Sequence, residues 1–306
     1  MIALAAGELR RVLARRMVRV LVLLALAGIV TAGILVFLNT EHVSEAEMAG
    51  RQQANDAQVG DCLAGGDITL REGRELPPPD VRRTENFCRF AVGGVEDPRF
   101  ELISLKGILQ GTTAPLVVVA WLIGASVIGS DWQSRTITTI LTWEPRRARV
   151  LLTKAFACIA VASLFAVVAQ GVLSLALLPA TYLHGTTAGA DSEWFRSVLG
   201  VLLRGTGLVA IAAAVGFSVA SIGRNTAAAL GIGFAYFLVI ENVVGSFLED
   251  FRRWLVLGNA IVLVSGEDGG GEVIGRSVVV AALYLTAVGI VLLAVATLVF
   301  RRRDVA

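Results

Sequence analysis

The chain is poor in charged side chains. Only 17% of its 306 residues are charged, 55% are hydrophobic, and the mean hydropathy is +0.72. Ordinary soluble domains do not reach this composition. Because the charged residues fall between long apolar runs, the sequence predicts a polytopic membrane protein that is organised by the bilayer. A net charge near +2 gives no reason to expect a nucleic-acid partner.

Signatures of catalysis are also missing. The two histidines, His42 and His184, lie in no HExxH or other metal-ligand spacing, and the chain has no GxSxG elbow and no Walker A motif. We therefore expect no metal site, no cofactor bound by this chain and no enzymatic activity of its own. A membrane-embedded enzyme is the alternative, and it predicts activity without any partner.

Lysine and cysteine are scarce. Lys106 and Lys154 are the only lysines, and this preference for arginine suggests a bacterium with a GC-rich genome. Cys158 lies in an apolar run and is interpreted as a small packing residue. Cys62 and Cys88 share one long polar segment, and they would form a disulfide if that segment faces an oxidising compartment. Two free thiols are the alternative.

The N-terminal half begins with an amphipathic helix over residues 1–19, whose apolar residues recur at helical spacing opposite Glu8 and several arginines. Such a helix next to a span is expected to lie in the membrane interface. The n-region of a signal peptide is the alternative, but the apolar run 20–38 is too long for one and predicts a first transmembrane helix. Residues 39–105 then form a small polar domain.

Five further apolar stretches follow within residues 106–306, each close to or above the ~20 residues needed to cross the hydrocarbon. They cover 108–129, 150–178, 197–221, 226–247 and 274–300. The segment 248–273 has an apolar part too short to span, so it predicts a re-entrant or interfacial helix. The predicted fold class is an all-α membrane protein with six transmembrane helices.

Arginine placement sets the expected orientation. The arginines flanking the first span, those of the second connection, Arg224 and the C-terminal arginines all fall on one side if there are six spans. Both termini are therefore expected in the cytoplasm. Residues 39–105, 179–196 and 248–273 would face outward, which favours pairing of Cys62 with Cys88.

The segment 129–154 carries the strongest functional pattern. A polar, arginine-rich stretch with two tryptophans predicts a short cytoplasmic helix over 130–145 that Pro145 ends. A solvated positively charged loop is the alternative, but such a loop needs neither the tryptophans nor the threonine-rich stretch. Its predicted contacts with a soluble partner are Asp131, Trp132, Arg135, Thr136, Ile137, Trp143 and Glu144.

This segment resembles that of the permease subunits of ABC transporters of the ABC-2, or type-2 exporter, class. The matching residues are Asp131, Thr136, Ile140-Leu141, Pro145-Arg146-Arg147, Lys154 and the C-terminal Phe300-Arg301-Arg302-Arg303-Asp304-Val305. The six-span layout and the N-terminal helix match as well. Two departures are Arg135, where many relatives carry Gly, and the long 39–105 insertion.

The resemblance implies ATP-driven export across a bacterial cytoplasmic membrane, with a coupling helix over 130–145. It implies separate ATPase subunits that bind ATP and Mg, a second permease copy or a similar partner permease, and contact with membrane lipids. The mostly apolar spans favour a lipophilic substrate. An ABC-type sensor or force-transmitting subunit, acting through residues 39–105, is the alternative.

Polar residues within the apolar runs are candidate pathway residues, because an intramembrane carboxylate is costly. They are Tyr236, Glu241, Asn242 and Gln110. For Glu241 the alternative is an ion pair with Arg252 or Arg253 at the outer interface. For Gln110, as for Gln170, the alternative is a hydrogen bond between helices.

Overall fold

The computed structural model describes residues 2–40, 43–64, 84–94, 98–247, 249–266 and 275–302. These residues are helical almost throughout, and within them the only β-structure is an isolated bridge between Glu101 and Thr186. Six helical segments are long and apolar enough to cross a membrane. They are Arg16–Asn39, Leu102–Gln133, Arg147–His184, Ser192–Gly223, Thr226–Phe247 and Val278–Arg302.

The helices are numbered here in chain order. The first seven are α1 (Ile2–Ala14), α2 (Arg16–Asn39), α3 (Glu45–Leu63), α4 (Glu85–Val92), α5 (Leu105–Gln133), α6 (Thr136–Trp143) and α7 (Arg147–His184). The others are α8 (Ser192–Gly223), α9 (Thr226–Ala235), α10 (Gly245–Phe247), α11 (Val256–Ser265) and α12 (Val278–Arg302). A π-helical stretch, Tyr236–Val244, joins α9 to α10, and 3-10 turns cover Leu102–Ser104 and Glu249–Trp254.

The chain forms two compact units. The larger contains residues 1–33, 103–176 and 189–306, and the smaller contains 34–102 and 177–188. In the larger unit α5 and α8 share an extensive contact. A Cβ at Gly124 of α5 would collide with the Ala213 carbonyl oxygen, and one at Gly216 of α8 would lie 2.5 Å from the Trp121 carbonyl oxygen. Small residues thus bring the two backbones into direct contact.

The predicted N-terminal helix 1–19 is divided in the structure. α1 ends at Ala14 and the apolar helix α2 already begins at Arg16. Val12 and Val18, on either side of this break, are buried in the main core cluster. Because Arg15 lies at the break, its side chain can turn towards the ends of other helices, as described below.

The second half of the larger unit contains the predicted segment 248–273. Its described part is the 3-10 turn Glu249–Trp254 followed by α11, and residues 267–273 lie outside the described residues. α11 packs on α8 and α12, and Leu208, Leu263 and Leu285 form their shared apolar cluster. The predicted span 226–247 corresponds to α9, the π-helical stretch and α10 together.

The smaller unit contains α3, α4 and the ends of α2 and α7. The Ser44 hydroxyl accepts a hydrogen bond from the Glu47 amide at 3.2 Å and caps α3. A disulfide joins Cys62 of α3 to Cys88 of α4, and both sulfurs lie in a small apolar cluster. The Pro77–Pro79 run lies outside the described residues.

Candidate functional site

The segment after α5 is a turn followed by a short helix. α5 continues through Asp131 and Trp132 to Gln133, and Arg135 then adopts a left-handed conformation with φ of 53°. This residue reverses the chain into α6, which ends where Glu144 becomes extended. Pro145 follows, and α7 begins at Arg147. The sequence predicted one helix over 130–145, and the break at Arg135 corrects that prediction.

A cluster of buried charges lies at the base of this segment. The Lys154 ammonium, on a side chain that is 1% exposed, donates to Glu8 Oε2 at 2.9 Å and to Asp131 Oδ2 at 2.8 Å. The Arg15 guanidinium donates to Asp131 Oδ1 and to the Ser130 hydroxyl. This set of residues, Glu8, Arg15, Ser130, Asp131 and Lys154, is called the charge cluster below.

The charge cluster joins elements that are distant in sequence. Glu8 belongs to α1, Arg15 lies between α1 and α2, Asp131 lies in the last turn of α5, and Lys154 lies in the second turn of α7. Formal charges balance, since two carboxylates face one ammonium and one guanidinium, and Arg11 adds a half-exposed pair to Glu8 at 2.8 Å. Because a buried ion is costly without a partner, each of these charges fixes the positions of the others.

α6 itself has an exposed face. Trp143 at the end of α6 is 88% exposed, while Ile137 in its first turn is 2% exposed and belongs to the main core cluster. The exposed side chains that follow one another along this face and its flanks are Arg135, Thr139, Thr142, Trp143 and Arg146. Tryptophan and arginine are both enriched in protein interfaces, so this face is a candidate contact surface.

A second joint lies next to the cluster. The Trp132 ring packs edge-on against Phe300 of α12 at 5.8 Å, and the Arg224 guanidinium lies over it at 5.1 Å. Gln133 Nε2 donates to Asn225 Oδ1 at 2.9 Å, and the same oxygen accepts from the Ala227 amide at the start of α9. The end of α5 is therefore attached to the α8–α9 turn and to the end of α12.

At the opposite ends of these helices, Glu241 caps α11. Its Oε1 accepts a hydrogen bond from the Leu257 amide at 2.9 Å, and the Tyr236 hydroxyl accepts one from the Val256 amide at 3.3 Å. The π-helical stretch that carries both residues is thereby attached to the first turn of α11. Helix N-termini favour such acceptors, because their first amides lack partners within the helix.

A family model described as an ABC-2 family transporter protein matches residues 2–305, nearly the whole chain. The chain belongs to the ABC-2 transporter family. It is a multi-pass membrane component of that family, with six helices long enough to span a bilayer. No curated protein matches the chain.

In this ABC-2 chain, several residues that were predicted to contact a partner instead contact other parts of the chain. Asp131 is buried in the charge cluster, Trp132 packs on Phe300, and Ile137 lies in the core. Thr136 is half-buried with its hydroxyl 2.7 Å from that of Ser134, and Glu144 pairs with Arg149 at 3.4 Å. Of the predicted set, Arg135 and Trp143 are the exposed side chains.

Of the predicted pathway residues of this ABC-2 chain, the structure brings Tyr236 and Glu241 together but does not bring Gln110 to them. Tyr236 and Glu241 lie at the first turn of α11, while Asn242 is exposed and its Nδ2 donates to the Phe237 carbonyl at 2.7 Å. Gln110 Nε2 donates to the Ser265 carbonyl at 3.1 Å, at the other end of α11. Among the ion pairs of the described residues, none joins Glu241 to Arg252 or Arg253, and Arg252 Nε instead donates to the Gly245 carbonyl at 2.9 Å.

Sequence reasoning missed Glu8 and Arg15 as members of the site. Lys154 was noticed only as a motif residue, and no spacing along the chain relates it to Glu8, 146 positions away. The available signal was a carboxylate within an otherwise basic amphipathic helix, because an acid in that setting needs a cation nearby.

Proposed function

We propose that this chain is the permease subunit of an ATP-driven ABC exporter and that α6 docks on a separate ATPase subunit. The observation that carries the proposal is Trp143, 88% exposed at the end of a short helix whose first turn is held in the core by Ile137. Tryptophan and arginine supply most of the binding energy in many protein interfaces. The positive charges of Arg135 and Arg146 suit a partner surface with acidic side chains.

The charge cluster supports a role in transmitting force. Because Asp131 and Lys154 flank α6 on either side and also bind Glu8 and Arg15, a displacement of α6 would be felt by α1, α5 and α7 together. A loop held only by solvent could not transmit such a displacement. Two permease copies, or this chain with a similar partner, would then form the export pathway, while ATP and Mg are bound by the ATPase subunits.

The proposed orientation places α6 and both termini in the cytoplasm of a bacterial cell and residues 39–105 outside the cytoplasmic membrane. The disulfide between Cys62 and Cys88 supports this, since such bonds persist in oxidising compartments. In α1, Leu9 and Leu13 are exposed on one face, and Arg10 is exposed beside them. Exposed apolar and basic side chains on one helix are expected in the lipid interface. Exposed leucines of α2, such as Leu23 and Leu24, would contact lipid tails.

Copurification tests the docking. The full chain is co-expressed with candidate ATPase subunits, and ATP hydrolysis of the captured complex is measured with and without lipophilic compounds. The Trp143→Ala variant should lose the ATPase while remaining in the membrane. Phe247→Ala is the matched control, because Phe247 is 80% exposed on α10, far from α6 in sequence. Equal ATPase capture by wild type and Trp143→Ala would contradict docking through α6.

Thiol labelling tests the orientation independently. A maleimide reagent that cannot cross membranes should label Cys62 and Cys88 in intact cells only after reduction. Cys158 is fully buried and serves as an internal background thiol. If labelling occurs only after cell lysis, the two cysteines face the cytoplasm and the proposed orientation is wrong. Labelling of both thiols in intact cells without a reductant would contradict the disulfide.

A further inference from the structure

Arg204 places a cation within the fourth membrane-spanning helix. It lies on α8, 19 residues before Gly223, where that helix ends. At 1.5 Å per residue its Cα is about 30 Å from the α8–α9 turn, which is close to the thickness of the hydrocarbon core. Because the polar α8–α9 turn marks one membrane surface, Arg204 lies near the opposite boundary, at the depth where lipid headgroups begin.

The guanidinium of Arg204 has no acceptor among the residues that the structure describes. Its Nε is buried and unbonded, while Nη1 and Nη2 donate to none of these residues and keep accessible surface. Ionisable residues inside a span usually pair with one another or with backbone carbonyls. In the charge cluster, by contrast, Arg15 and Lys154 each meet a carboxylate.

The carbonyls at the end of α11 are used by a different residue. A Cβ built on Gly266, directly after α11, would lie 2.8 Å from Arg204 Nη2, so the guanidinium lies against the end of that helix. A cation there could cap the last carbonyls. However, Gln110 Nε2 donates to the Ser265 carbonyl at 3.1 Å and to the Val264 carbonyl at 3.4 Å. Gln110 therefore caps α11, and the N–H groups of Arg204 remain available.

The position of the guanidinium is set by two glycines. It lies between Gly266 and Gly200, which is one turn earlier on α8 and whose Cβ would be 3.7 Å from Nη1. A side chain at position 266 would press on the guanidinium, so the glycine makes room for it. Because Nε is buried, the accessible edge carries Nη1 and Nη2, and this fork matches two oxygens of a phosphate.

An exposed apolar face of α8 adjoins Arg204. Leu203 is 66% exposed, and Gly207, one turn deeper in the span, is exposed with open space where a Cβ would be. These two positions are neighbours on the helix surface, because they are four residues apart. A lipid whose acyl chain lies along Leu203 and Gly207 would therefore bring its headgroup to the depth of the guanidinium.

We propose that Arg204 binds the phosphate of an anionic phospholipid in the leaflet opposite α6, with an acyl chain of that lipid along Leu203 and Gly207. Two phosphate oxygens accept from Nη1 and Nη2, and the negative charge compensates the guanidinium. A zwitterionic headgroup fits less well, because its own ammonium already neutralises the phosphate and would be held near a second cation. Lipid binding at this site needs no ATPase and is independent of ATP-driven export.

Native mass spectrometry of the purified full-length chain in detergent tests the site. Phosphatidylglycerol or phosphatidylcholine with the same acyl chains is added, and the bound lipids are counted. Wild type should retain phosphatidylglycerol in preference to phosphatidylcholine. Arg204→Gln should reduce retention of phosphatidylglycerol at least about tenfold, the usual worth of a hydrogen bond to a charged group, and remove the preference.

Arg196→Gln is the matched control, because Arg196 is an exposed arginine about two turns nearer the start of α8. It removes the same charge from the same helix, and retention of phosphatidylglycerol should stay at the wild-type level. Arg204→Lys keeps the charge without the planar fork, so it should retain more than Arg204→Gln and less than wild type.

Thermal unfolding separates lipid binding from a role of Arg204 in the fold. Phosphatidylglycerol should raise the Tm of wild type and of Arg196→Gln but not that of Arg204→Gln. Without added lipid, delipidated Arg204→Gln should have a Tm equal to or above that of wild type, because it removes a partly buried charge that has no partner. A lower Tm would show that the chain itself satisfies Arg204, and it would overturn the proposal.

Two further results would overturn it. Equal retention of the two lipids by wild type would mean that headgroup charge is not recognised. Equal loss of phosphatidylglycerol in Arg204→Gln and Arg196→Gln would mean that retention follows the overall charge of the chain and not the position of one guanidinium.

Discussion

The two ends of the larger unit are held by different kinds of interaction. At the α6 end, buried formal charges on Glu8, Asp131 and Lys154 join helices distant in sequence. At the α11 end, single hydrogen bonds to backbone groups join the helices. The Leu257 amide donates to the Glu241 carboxylate, and the Gln110 side chain donates to the Ser265 carbonyl.

The difference predicts different responses to substitution. Removing one member of a buried ion pair costs about 3–5 kcal/mol, because the charge left behind stays buried. Removing a helix cap costs about 0.5–2 kcal/mol, because water or a neighbouring turn can take its place. We therefore expect the α6 end to tolerate few changes and the α11 end to be adaptable.

The largest effect is expected for Lys154→Met. The variant leaves Glu8 and Asp131 close together without their shared ammonium, so the free energy of unfolding in detergent should fall by about 3–5 kcal/mol. Chemical denaturation followed by tryptophan fluorescence measures it. Arg51→Met is the control, because the Arg51–Glu47 pair is exposed and should contribute under about 0.5 kcal/mol. Similar losses in both variants would mean that the charge cluster is solvated.

The next effect separates the two faces of α6. Ile137→Ala opens space in the core and should lower the free energy of unfolding by about 2–4 kcal/mol. Trp143→Ala should leave the free energy of unfolding within about 0.5 kcal/mol of wild type and reduce the amount of captured ATPase at least tenfold. Denaturation and copurification of the same two variants measure both properties. A stability loss in Trp143→Ala would show that this face is covered by the chain itself.

A smaller effect is expected at the α11 end. Glu241→Leu removes the acceptor for the Leu257 amide and should cost about 1 kcal/mol, while Glu241→Gln keeps an acceptor and should cost less than half of that. Hydrogen exchange of the first turn of α11 measures the change locally. If Glu241→Gln preserves exchange but abolishes export, Glu241 acts on substrate as well as on α11.

The smallest effect concerns the left-handed Arg135. Glycine adopts this conformation without strain but has more freedom in the unfolded chain, so Arg135→Gly should change the free energy of unfolding by under about 0.5 kcal/mol. Thr139→Gly, on the same exposed face within α6, should cost about 0.3–0.5 kcal/mol, because threonine is itself a poor helix former. A loss in Arg135→Gly as large as that in Thr139→Gly would place a needed contact on the Arg135 side chain.

The sequence was sufficient to predict the six transmembrane segments, because each is a continuous apolar run whose length is set by the thickness of the bilayer. The family was recognisable from the pattern between Asp131 and Lys154, and the family model confirms it. The disulfide partners were limited to Cys62 and Cys88 by the position of the third cysteine in an apolar run.

The interior of the site was not predictable from the sequence. A helix pattern cannot show that Lys154 meets Glu8, since that contact depends on how α1 and α7 pack. The same limit explains Trp132 and Ile137, which were predicted to contact a partner and instead lie against Phe300 and in the core. Amphipathic periodicity identifies an apolar side chain but not the surface that buries it.

The glycine contacts between α5 and α8 have a consequence for motion. Gly124 lies against the Ala213 carbonyl and Gly216 against the Trp121 carbonyl, so the two main chains are in direct contact. Sliding one helix along the other would bring side chains against these carbonyl groups. These two helices should therefore translate and tilt as one lever during any conformational cycle. Relative movement must then be taken up by elements with looser neighbours, such as the π-helical stretch and α2, and the slowest-exchanging amides should mark the lever.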